Sequence, residues 1–175
     1  MNRPVKIGVS ACLLGEKVRY DGGHRLNRYI IDTLGRYLTF VPVCPEAESG
    51  MPIPRETMRL EGEPATPRLM TCRTRIDMTG QMLAYCSAKV VELEGLNLCG
   101  FIFKERSPSC GLTMVPLYGD GAANMLTVGL FAEEVARSFP SMALEEAEHL
   151  NDPSILQDFI EKVLSCHRRC GKLSH

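Results

Sequence analysis

The sequence has almost no net charge: across its 175 residues, 20 lysines and arginines stand against 21 aspartates and glutamates, a balance of −1. Without an excess of either sign there is no global pull on nucleic acid or on an anionic membrane. Only a small local basic pocket remains open. Long apolar runs are missing too. No stretch approaches the ~20 residues that span a bilayer. The opening Met1-Asn-Arg-Pro-Val-Lys-Ile-Gly-Val-Ser10 has too short an apolar run for a signal peptide. A cytoplasmic protein is expected. No internal repeat or low-complexity tract appears, and Asp21-Gly22-Gly23 is not a phosphate-binding fingerprint.

What the sequence does have is cysteine, eight of them in a chain that is 45% hydrophobic. In a reducing compartment such thiols point to metal binding, catalysis or core packing before disulfides. The length suits a single domain over residues 1–175 with a proper core.

Short apolar runs predict strands at Val5–Val9, Thr39–Val43 and Leu98–Phe103. Further strands are expected at Leu112–Leu117 and Met142–Leu144, with a flexible turn over Gly119–Ala123. Pro42 suits an edge strand or a strand end. Helical spacing predicts helices over Leu26–Leu38, from Asp77 or Thr79 to Glu94, over Thr127–Phe139, and from Asp152 through Arg169. Gly95 is placed to close the second of these as a C′ residue. Ala47–Pro67 is rich in proline and glycine and long for a connector. Within it Thr57–Leu60 and Ala65–Leu69 can pair as a hairpin, and the segment reads either as a covering flap or as an inert excursion. Strands alternating with helices predict a three-layer Rossmann-like or flavodoxin-like α/β domain with a mainly parallel sheet.

In such a fold, loops at the carboxyl ends of the strands carry the chemistry. Cys12, Cys44 and Cys110 each follow a different predicted strand at that edge, so they are expected to converge. Cys86 and Cys99 fall on buried positions instead. Cys166, His167 and Cys170 make a weak second metal site, and Cys72 has no assignment. Three readings of the convergent trio stay open: a metal or iron–sulfur site, a catalytic thiol without metal, or structural thiols. Zinc in closed structural sites prefers four ligands, whereas a cluster held by three thiolates leaves one metal open as a Lewis acid.

Around the trio lie groups able to do chemistry. Glu46, beside Cys44, is placed to act as a base, to hold a ring N–H or to cap a turn. Ser107 and Ser109 can bond a substrate or simply shape a turn. Lys104, Glu105 and Arg106 can anchor substrate or a phosphate, or form an internal pair such as Glu105 with Arg106 or Arg19. Arg19 and Asp21 pose the same choice, and His24 reads as a turn residue rather than a ligand.

The segments Val9-Ser-Ala-Cys-Leu-Leu-Gly15, Val18-Arg-Tyr-Asp-Gly22, Val43-Cys-Pro-Glu46 and Phe103-Lys-Glu-Arg-Ser-Pro-Ser-Cys-Gly111 resemble the motifs of the YbbK-type family, formerly a domain of unknown function, which includes the TudS thiouracil desulfidases. The resemblance implies a [4Fe-4S] cluster with one open iron, held by Cys12, Cys44 and Cys110. It implies a non-redox desulfidation that turns C=S of a thiolated pyrimidine into C=O, with the sulfur taken by the open iron. Glu46, Ser107 and Ser109 become the catalytic candidates, with Arg19, Lys104, Glu105 and Arg106 as substrate-binding ones. A small thiopyrimidine base or nucleotide is the implied partner (2- or 4-thiouracil, or 4-thiouridine monophosphate), rather than a nucleic acid or a membrane. Ala47-Glu-Ser-Gly-Met51 departs from the more apolar, glycine-rich run of many relatives, which bears on substrate preference. The competing class is a non-enzymatic sulfur or metal carrier, or a zinc-stabilised binding module.

Overall fold

The structure is a computed structural model that describes residues 4–120 and 122–172. In chain order its elements are β1 (Lys6–Ser10), α1 (Arg28–Leu34), β2 (Thr39–Val43), α2 (Pro45–Glu48), β3 (Met58–Glu61), β4 (Arg68–Thr71), α3 (Thr79–Glu94), β5 (Gly100–Phe103), β6 (Val115–Gly119), β7 (Ala122–Thr127), α4 (Leu130–Ser138), β8 (Ala143–Glu146) and α5 (Pro153–Lys172).

Four strands form one sheet in the order β2-β1-β5-β8, and every pairing in it is parallel. This is the flavodoxin-like start of a doubly wound sheet, and the expected α/β architecture is met. The pleat of β5 explains the layering. Phe101 and Phe103 face one way and stack at 4.4 Å between ring centroids, with Phe131 of α4 set edge-on to Phe101 at 5.6 Å. Met82, Cys86 and Leu93 of α3 complete this layer. Ile102 faces the opposite way, with Ile7 and Val9, into a layer built from α1 and α5 through Ile30, Leu34, Phe159 and Val163. Two glycines permit the close approaches. A Cβ on Gly8 would come within 2.2 Å of the Phe101 ring, and one on Gly100 within 2.9 Å of Val163.

A second sheet, β4-β3-β6-β7, was not anticipated from the sequence. The expected hairpin in the proline-rich segment is real, as antiparallel β3 and β4. The strand expected at Leu112–Leu117 starts later, at Val115, and joins β3 in parallel. Its partner β7 occupies ground read as turn and helix start, because its side chains are exposed and carry no period-two apolar signal; Gly121, in that expected turn, lies outside the described residues. The helix read from Thr127 therefore begins at Leu130. Gly95 does follow the last residue of α3, but in a right-handed conformation (φ −67°). The left-handed turn falls on Asn97 (φ 54°). Pro42 lies on β2, an edge strand of the parallel sheet, where its missing N–H is tolerated. No helix among the described residues is long and apolar enough to cross a membrane.

Candidate active site

The order β2-β1-β5-β8 puts the reversal of winding direction between β1 and β5, and a crevice opens outside the carboxyl ends of strands at such a point. A cavity of about 330 Å³ lies there, and Cys12, Cys44 and Cys110 all line it. Each arrives by its own local device. After β1 the chain enters a 3-10 turn over Ala11–Leu14, ended by left-handed Gly15 at φ 92°, which brings in Cys12. Cys44 is the extended N-cap residue of α2, directly after β2. Cys110 ends the turn that follows β5.

That turn is held on every side. Ser107 Oγ accepts the N–H groups of Ser109 (3.3 Å) and Cys110 (3.1 Å), and its carbonyl accepts from Gly111 N at 2.8 Å. A Cβ at Gly111 would meet Val115 at 2.4 Å, so only glycine passes there. The first N–H groups of α4, which have no partner inside the helix, point back at the turn: Leu130 N donates to Pro108 O (3.1 Å), while Phe131 N and Ala132 N donate to Ser109 O (2.9 and 3.1 Å). Beyond Cys110, buried Glu146 at the end of β8 accepts from Leu112 N, Thr113 N and Thr113 Oγ1 at 2.8, 2.8 and 3.0 Å.

Glu46 sits across the cavity from this turn. Arg55 Nε and Nη2 both donate to its Oε2, at 2.9 and 2.7 Å, while Ser109 Oγ donates to its Oε1 at 3.0 Å. A hydroxyl has one proton, and the bond to the carboxylate wins over the 3.8 Å approach of Ser109 Oγ to Cys110 Sγ. In the 3.1 Å serine pair, Ser107 must then be the donor. The result is a directed chain from Ser107 to Ser109 to Glu46. Arg55 also donates to Val18 O (3.0 Å) and Pro52 O (3.2 Å), so it fastens the proline-rich segment over the site. Arg55 lies inside that segment, nine residues after Glu46. Arg55 was missed because no motif marks it within that irregular excursion, whose length was the only hint. Glu146 was missed as well, because nothing in its short strand marks it as buried.

The remaining candidates separate into lining and rim. Arg19 lines the cavity, 5.4 Å from the Tyr20 ring centroid and 3.9 Å from Asp21, with its Nε buried and without a hydrogen-bond partner. Lys104 and Glu105 also line it, but they pair with each other at 2.5 Å, not Glu105 with Arg106 or Arg19 as one sequence alternative had it. Arg106, left-handed at φ 56°, reaches outward to Glu148 at 3.1 Å. His24 Nδ1 accepts from Leu26 N, a turn role. Cys86 and Cys99 are core residues, each 1% exposed, while Cys72 is exposed.

The thiols are electrostatically aware of one another. Burial raises the pKa of Cys12, with Arg19 and Lys104 pulling back. Burial pushes Cys44 up to about 11. Cys110 is raised chiefly by burial and then by the charges of Cys44 and Cys12. Three mutually repelling thiolates in one pocket need a cation to exist together. Among the described residues no group of three His, Cys, Asp or Glu side chains could hold one metal ion. Three cysteine thiols around one cavity are the donor type that iron–sulfur clusters use.

A family model described as 2-thiouracil desulfurase matches residues 7–147. The chain belongs to that family. The uncharacterized protein YbbK of Bacillus subtilis (strain 168) is 29% identical over 109 residues, covering 59% of this chain and 71% of its own. Among solved structures, a protein named as the [4Fe-4S]-dependent thiouracil desulfidase TudS superposes with a TM-score of 0.65 at 26% identity, over 88% of this chain and 97% of that one.

Proposed function

We propose that the protein is an iron–sulfur-dependent desulfidase of thiolated pyrimidines, with Cys12, Cys44 and Cys110 as the cluster ligands. The observation that carries this reading is the convergence of those three thiols, from three strands, on the cavity that also holds Glu46 and Ser109. Membership of the 2-thiouracil desulfurase family and the likeness to a [4Fe-4S]-dependent thiouracil desulfidase support it.

A [4Fe-4S] cluster bound by three thiolates supplies one open iron, a soft Lewis acid for a thiocarbonyl sulfur. The chain's own residues do the rest. Glu46 accepts a proton from water as that water attacks the thiocarbonyl carbon. Arg55 holds one carboxylate oxygen, so the oxygen facing Ser109 is the one left to work. Ser107 and Ser109 hand hydrogen bonds toward Glu46 and orient the substrate ring. Arg19, Lys104 and Glu105 line the far wall as its binding groups, and Arg106 at the rim meets any phosphate the substrate carries. The net change is C=S plus water to C=O plus hydrogen sulfide, without oxidation. A free base or a mononucleotide in the cytoplasm is the substrate in this reading.

Anaerobic reconstitution with iron and sulfide, followed by incubation with 2-thiouracil and with 4-thiouridine monophosphate, tests the reading through loss of thiocarbonyl absorbance. A brown protein that clears the substrate is expected, with Cys110→Ala losing colour and activity together. A colourless, fully active metal-free chain would overturn it. Zinc with no desulfidation would favour a binding module or carrier.

A further inference from the structure

Helix α3 turns a polar stripe toward α2. Gln81 Nε2 donates to Ser49 O at 2.8 Å, and two turns later Lys89 Nζ donates to Glu48 Oε1 at 2.9 Å. Lys89 is buried, 7% exposed. Placing an ammonium there is costly unless its partners are well set. Burial lowers its pKa, but hydrogen bonds to Glu48 and Glu92 more than offset this, so it stays charged.

Glu48 spends its second oxygen on the cavity side of α2: Oε2 accepts the main-chain N–H of Cys44 at 2.6 Å. Cys44 is an extended residue between a strand and a helix, with φ −126° and ψ 99° and no side-chain cap. Its N–H bond to Glu48 therefore fixes the peptide plane from which the thiol projects. The Glu48 carboxylate is itself partly exposed, 36%, and has solvent available on one side. Lys89 is what keeps it turned inward. We propose that Lys89 is a positioning residue for the Cys44 thiol, acting through Glu48. The inference rests on the reading of Cys44 as one of three cluster ligands.

The test uses the full-length chain and two readouts. In the cluster-free protein, the rate of iodoacetamide alkylation is followed at each cysteine by mass spectrometry. Lys17, Arg36, Arg55 and Arg106 place Cys12, Cys44 and Cys110 on separate tryptic peptides. Lys89→Met is expected to speed alkylation of Cys44 about five- to tenfold, the factor carried by one lost hydrogen bond, while Cys12 and Cys110 keep their wild-type rates. Iron bound per chain after anaerobic reconstitution falls in the same variant. Lys89→Arg restores both readouts, and Glu92→Gln changes neither. Glu48→Gln, which keeps an acceptor but discharges the pair, shows the same Cys44-confined effect at smaller size, and it decides the matter if Lys89→Met does not fold. An equal rise at all three thiols, or none at Cys44, overturns the proposal. If the wild-type chain takes up no iron, the functional reading fails, while the alkylation pattern still decides the positioning role.

Discussion

Arg55 carries the heaviest electrostatic duty of any single residue at the site. Its side chain is 7% exposed and that of Glu46 13%, so the pair is nearly dry. Removing one partner of a buried pair costs about 3–5 kcal/mol. Arg55→Met is therefore expected to lower the unfolding temperature. It should also reduce kcat about 100-fold, the scale of a misplaced catalytic group, with KM less affected; steady-state kinetics on reconstituted enzyme separate the two. His149 gives a second residue-scale test. The Glu145 carboxylate, hydrogen-bonded to Nδ1 at 2.7 Å, raises its pKa above the ordinary 6.5, with Glu146 and Glu148 adding to the effect. A raised histidine pKa stabilises fully below the unfolded value and loses that contribution as pH rises through the folded one. The destabilisation caused by His149→Asn should thus be present at about pH 5.5 and fade toward about pH 9. Melting curves of both proteins across that range measure it. A difference that grows with pH would contradict the assignment.

At the level of elements, the turn after β5 and the N-terminus of α4 act as one piece. A Cβ on Gly129 would lie 2.7 Å from the Ser109 carbonyl carbon and oxygen. Gly129→Ala must therefore push the turn away from the helix, at about 1–3 kcal/mol for overpacking. Desulfidation should suffer more than stability, which paired activity and melting measurements would reveal. This piece also shows why part of the architecture was legible in the sequence. β5 is a short apolar run cut off by Lys104-Glu105-Arg106, and that contrast places its end and the turn beyond it. β1 and β2 are legible as short apolar runs, so the three cysteines could be put at one edge of a sheet. β7 could not be read, because an exposed strand leaves no apolar alternation. Glu46, Ser107 and Ser109 were visible as candidates, but their directed chain was not. Arg55, which holds the far end of that chain, reaches Glu46 only because the proline-rich segment folds back on itself, a contact that no local spacing encodes.

For the whole molecule, the two apolar layers hold the parallel sheet without help from the cavity. Ile7, Leu60, Phe131 and Val163 are each fully buried and lie away from it. A group bound at the site adds stability by mass action on an already folded chain. Loading the cluster is expected to raise the unfolding temperature. Stripping it with oxygen and chelator should lower that temperature but leave the far-ultraviolet circular dichroism of the folded chain unchanged. Collapse of the dichroism on stripping would mean that the cluster, not the sheet, organises the fold.

The spread of the three thiols over β1, β2 and β5 also has a consequence for the order in which the protein is made. Cys12 leaves the ribosome first, and Cys110 only after the whole proline-rich excursion and α3. Glu146, which pins the segment beyond Cys110, comes later still. A nascent chain carries Cys12 and Cys44 as loose thiols well before Cys110, the last residue to line the cavity, has been made. If the three thiols hold a cluster as proposed, its assembly waits for synthesis to pass Cys110, beyond the proline-rich excursion and α3.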